Sequence, residues 1–166
     1  LTLDANTTAS NNTAFGYASL SANTTGAGNT GLGTLSLNSN TTASNNTAVG
    51  VNALLANTSG IQNTAVGALA LDANTTASNN TAVGYNSLGT SSTGEANTAL
   101  GSLALDANTT GGFNTGLGVH ALGGNTTASY NTAVGWSSLK ANTTGGQNTA
   151  VGYQSLFDNT TGPSNT

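Results

Sequence analysis

Apolar residues recur along this chain in two fixed columns. Leu stands at Leu3, Leu20, Leu37, Leu54, Leu71, Leu88, Leu105, Leu122, Leu139 and Leu156, always 17 residues apart. A second column, Phe15, Leu32, Val49, Val66, Val83, Leu100, Leu117, Val134 and Val151, keeps the same interval. The places between them are small or polar. Asn12, Asn29, Asn46, Asn63, Asn80, Asn97, Asn114, Asn131 and Asn148 open each repeat as N-T-A or N-T-G, without one insertion or deletion. Gly16, Gly33, Gly50, Gly67, Gly84, Gly101, Gly118, Gly135 and Gly152 form an unbroken third column directly after the Val-type residue. The repeat reads N-T-A-V-G-x-x-[SA]-L-x-x-N-T-T-[GA]-x-x, and its places are numbered below as coil positions 1 to 17 from the opening Asn.

A helix fits this pattern poorly, because Asn, Thr and Gly are weak helix formers and helical repeats run to about 33 residues or more. Seventeen residues suit one coil of an all-β parallel solenoid with two short strands and two turns. T-A-V-G-x with its approach to Leu, and the N-T-T segment, are the predicted strands; Gly and Asn mark the bends. Stacking sets each residue about 4.8 Å from its counterpart. Val-type over Val-type and Leu over Leu then predict a continuous dry spine. Asn over Asn predicts ladders of side-chain amides that satisfy groups at the bends. About ten repeats predict a rod of roughly 45 Å.

Residues 1–166 therefore read as a single array without caps, an excerpt of a longer fibre. A weaker 34-residue rhythm, carried by Leu35, Leu69 and Leu103, points to duplication of a two-repeat unit. The strand T-A-V-G-x restricts both faces, with Val-type residues on one and Ala or Gly on the other. Since a wet face tolerates variation, a second body is expected to cover it, such as another copy of the chain.

Composition narrows the function. Only 4% of residues are charged and the net charge is −4, with Lys140 the one base. Phosphate backbones need clustered Lys and Arg, and anionic lipid needs a basic patch, so neither is an expected partner. No apolar run approaches the ~20 residues of a membrane helix, and no direct membrane insertion is expected. Asp4, Asp72, Asp106 and Lys140 share coil position 10, Asp158 follows at 11, and Glu95 sits two places before an opening Asn; all six are predicted in bends facing water.

The motif N-T-A-V-G, as in Asn46 to Gly50 and Asn80 to Gly84, resembles the head repeats of trimeric autotransporter adhesins. "NTAVGYNSL" and "NTAVGYQSL" are also similar to the N-T-A-V-G-Y-x-[AS]-L arrays of phage-type tail-fibre proteins. The resemblance runs repeat by repeat over the whole chain. It implies a left-handed parallel β-roll assembled as a homotrimer, in an extracellular, cell-surface or virion-surface fibre. The adhesin repeats are shorter than these.

Candidate chemistry is sparse. Sequons begin at Asn6, Asn23, Asn40, Asn57, Asn74, Asn108, Asn125, Asn142 and Asn159, which would permit N-glycosylation; the competing reading makes them ladder residues, since sugars on every coil would crowd at ~4.8 Å. Tyr17, Tyr85, Trp136 and Tyr153 share one column and would suit contact with a carbohydrate or a host-surface receptor. Thr rows raise ice binding, but neighbouring Thr24 and Thr25 project to opposite sides. His120 has no partner at equivalent places, and no two acids lie on adjacent coils, so no catalytic residue, metal or cofactor is expected. The expected role is a rigid structural or adhesive fibre segment. An ice-binding solenoid and an end-to-end filament of stacked subunits are the alternatives.

Overall fold

The computed structural model describes all 166 residues as a parallel β-solenoid. Each coil contributes one strand of three residues: β1 Thr13–Phe15, β2 Thr30–Leu32, β3 Thr47–Val49, β4 Thr64–Val66, β5 Thr81–Val83, β6 Thr98–Leu100, β7 Thr115–Leu117, β8 Thr132–Val134 and β9 Thr149–Val151. Strands pair in sequence order and in parallel, without slippage: Thr47 lies opposite Thr64, Ala48 opposite Ala65 and Val49 opposite Val66. There is no helix, and hence none long and apolar enough to cross a membrane. Of 103 backbone hydrogen bonds only 16 lie within the strand ladder, so the coils are stitched together around their whole circumference.

The predicted second strand at N-T-T is absent. Asn23 Nδ2 donates to the carbonyl of Gly26, three residues on, at 2.9 Å. The equivalent bond recurs at Asn40, Asn57 and Asn125. It curls the segment into a bend, where an extended run would have to lie straight. Upstream, the Asn23 N–H donates to Leu20 O at 3.2 Å and closes a turn. Leu20 itself sits at φ 51° and Leu54 at φ 51°, a left-handed conformation that branched side chains rarely take. The strain is offset because this corner delivers every Leu side chain to the axis of the stack.

The spine differs from the predicted one. Leu20 through Leu139 are fully buried, together with Ala48, Ala65, Ala82, Ala99 and Ala133 of the strands. Alternation along T-A-V turns Ala inward, so the Val-type column faces outward. Phe15 is 78% exposed and Val151 69%. The interior admits nothing larger than Ala here: the place of a Cβ on Gly116 lies 3.1 Å from Ala121 O and 3.4 Å from Leu105 Cδ1. Each buried Leu contributes on the order of 2 kcal/mol, and this narrow Leu–Ala column is the whole apolar core.

Polar ladders supply the rest. The position 1 Asn accepts the backbone N–H of the next opening Asn, as in Asn63 N–H to Asn46 Oδ1 at 2.9 Å. Its Nδ2 donates to the carbonyl of coil position 15, as in Asn46 to Gly60 at 2.9 Å. The position 12 Asn passes a bond to the one before it, Asn40 to Asn23 and Asn57 to Asn40, each at 2.9 Å. Both columns converge on one carbonyl, since Gly60 O also accepts from Asn57. The second ladder breaks at Ser91, whose side chain is too short: Asn74 Oδ1 and Ser91 Oγ are buried without a partner. Restoring the amide with Ser91→Asn is expected to stabilise the chain by about 1–2 kcal/mol. A thermal melt checks this, with a rise of a few degrees expected.

Candidate functional site

The most regular surface is the outer side of β1–β9. It carries Thr13, Thr30, Thr47 and their counterparts in one column and the Val-type residues in the next. The strand Thr side chains make no hydrogen bond within the chain, and only their backbone is engaged, as in Thr47 N–H to Asn63 O at 2.8 Å. Successive coils repeat this pair about every 4.8 Å over roughly 38 Å. The face thus alternates free hydroxyls with apolar groups that are half-buried in Val49, Val66, Val83, Leu117 and Val134 and exposed in the other four coils.

Tyr17, Tyr85, Trp136 and Tyr153, at coil position 6, are all exposed at the edge of this face. Trp136 and Tyr153 stack with centroids 5.1 Å apart and planes 11° from parallel. Each therefore covers one face of the other, which leaves edges and the two outer faces for any ring-stacking ligand. A second stack, Phe113 on Tyr130 at 5.2 Å and 5°, went unnoticed in the sequence. Both residues occupy coil position 17, just before the opening Asn. Reading that column in the 17-residue register would have found them.

The sequon asparagines serve the ladder. Asn23, Asn40, Asn57, Asn74, Asn108, Asn125 and Asn142 are fully buried. Asn125 Nδ2, for example, is held by Asn108 Oδ1 at 3.0 Å and Ala128 O at 3.0 Å. The two threonines that follow behave differently from each other. The first donates its hydroxyl along the stack, Thr24 to Thr41 O at 3.0 Å and Thr109 to Thr126 O at 3.0 Å. The second is exposed in every repeat.

No charged residue is buried, as expected for the bends, but Asp72, Asp106 and Lys140 are half-covered. Burial pushes the Asp106 carboxyl above its ordinary range, offset in part by backbone N–H groups, His120 and Lys140. Burial raises Asp72 likewise. An acid raised by folding lowers stability at neutral pH, and that penalty vanishes as the pH falls below its unfolded value. Solvent screening keeps the effect small at these half-exposed sites. His120 stands in the bend at φ 56°, and no group of three metal-ligating side chains forms. No family model, no curated protein and no solved structure matches this chain.

Proposed function

We propose that the chain is a structural segment of an extracellular fibre, a left-handed roll in which three copies turn their Thr and Val-type faces toward a common axis. The observation that carries this reading is the outward apolar column on a nine-stranded sheet. Coil position 4 keeps apolar character but not shape, being Phe, Leu or Val. Packing against a second copy requires that much and no more. Positions 2 to 6 span about 13 Å of extended backbone; along the sheet this offers about 500 Å² per copy, the lower bound for a stable pair. Sedimentation at tens of micromolar should find a trimer. Val66→Glu with Val83→Glu should yield monomers with an unchanged circular dichroism spectrum, because both side chains lie outside the coil. A monomeric parent chain overturns the reading.

One observation favours a second role. Free hydroxyls on the strand threonines repeat at regular spacing on that same face, as an ice-binding surface requires. Such a surface also needs neighbours of constant size, which Phe15, Leu32 and Val49 do not provide. Thermal hysteresis in dilute solution together with a monomeric mass would select this reading over the trimer.

A further inference from the structure

We infer that the second threonine of each N-T-T bend is an acceptor for O-linked sugar. Coil position 14 carries a hydroxyl in all ten repeats, Thr in nine and Ser59 in one. The single replacement gives up the methyl group and keeps the oxygen. Three places further on, coil position 17 is exposed in nine of the ten repeats and carries Asn, Gly, Gln, Ala, Phe, Tyr and Ser, so exposed places in this bend have been free to diverge.

The fold makes none on this oxygen. Thr25, Thr42, Ser59 and Thr76 are exposed and their hydroxyls bond to nothing in the chain. The preceding residues Thr24, Thr41, Thr58 and Thr75 all spend theirs on the next coil. Strand propensity does not account for a β-branched residue here either, since the segment is a bend. A single file of hydroxyls off the sheet cannot match a two-dimensional lattice. Their accessibility, and the buried Ala43, Gly60 and Ala77 beside them, instead leave a transferase an open approach. From Asn23 to Asn142 the adjacent sequon amides offer no competing site, being buried in the ladder; Asn6 and Asn159 of the end coils are half-buried.

In the reaction the hydroxyl oxygen attacks the anomeric carbon of a nucleoside diphosphate sugar. The bond from that carbon to the diphosphate breaks, the nucleoside diphosphate leaves, and the hydroxyl proton passes to a base of the transferase. A pyranose is wider than the spacing of about 4.8 Å between coils, so every second coil at most carries one. The result is a row of sugars along a rigid rod, independent of whether the rod is a trimer.

Peptide mapping of the protein from its native source, with electron-transfer fragmentation, tests this. Hexose or N-acetylhexosamine increments are expected on position 14 hydroxyls at up to half of the coils. Thr76→Val, expressed in that source, should lose the increment at that coil and melt within about 1 °C of the parent. Thr75→Val should melt lower, through the lost bond to Ser92 O, and keep the sugar on Thr76. Unmodified position 14 residues throughout, or sugars found only on the first threonine, the strand threonines or asparagine, overturn the proposal.

Discussion

Gly84→Ala is expected to destabilise the chain by about 2–6 kcal/mol, the sum of a backbone strain of about 1–3 and a forced repacking of similar size. Gly84 has φ +136°, and a Cβ built there lies 2.5 Å from Gly101 O and 2.9 Å from Ser102 N. Those atoms are backbone of the next coil, so relief requires the coils to part. In a solenoid each coil touches only its neighbours, and a wedge at Gly84 divides the stack into two shorter blocks. Gly152→Ala isolates the first contribution. Gly152 has φ +126° and nothing within 4 Å of the added carbon, so its variant should lose only the backbone share. Urea titrations of both variants measure the difference. Equal losses would mean that the contact between coils is not what holds this column to glycine.

The repeat length was enough to read the solenoid, because only stacking forbids every insertion across ten copies of one motif. The two asparagine columns were legible for the same reason: a buried amide tolerates replacement only by a group that reaches the same partners, and Ser91 shows what happens when it does not. Other features were hidden. Alternation fixes that Ala and Val point to opposite sides, but which side is the interior depends on the Leu side chains arriving from the opposite corner, and no spacing in T-A-V records that. The bend at N-T-T was masked because Thr is a good strand residue, and the bond from Asn to the third carbonyl on competes with extension locally. A spine of Val-type residues makes Ala or Gly the face that needs cover, and the structure reverses the two. Placing the Val-type residues outside turns that question into a specific surface. The left-handed Leu corner has no sequence signature at all, since Leu is among the residues least expected there.

A chain with so thin an apolar core leans on its amides, and Asn63→Ala should expose how far. Asn63 Nδ2 donates to Ala77 O at 2.9 Å, and its Oδ1 accepts the backbone N–H of Asn80 at 3.0 Å. Truncation leaves a buried N–H with no acceptor and takes one of two donors from a buried carbonyl, so a loss of about 3–4 kcal/mol is expected. Asn63→Leu should be no better, because apolar volume does not supply the missing acceptor. Asn63→Asp separates the two bonds. The carboxylate keeps the acceptor for Asn80 but turns a second oxygen toward Ala77 O, and burial without a counter-charge raises its folded pKa. Protonated, it donates to that carbonyl as the amide does. Its stability should therefore approach the parent's below the ordinary aspartate pKa of about 3.9 and fall as the pH rises toward the folded value. Melts at pH 3.5 and pH 7 compare the two states directly. A variant equally unstable at both would show that the geometry of the amide, and not its donor and acceptor, is what each coil requires.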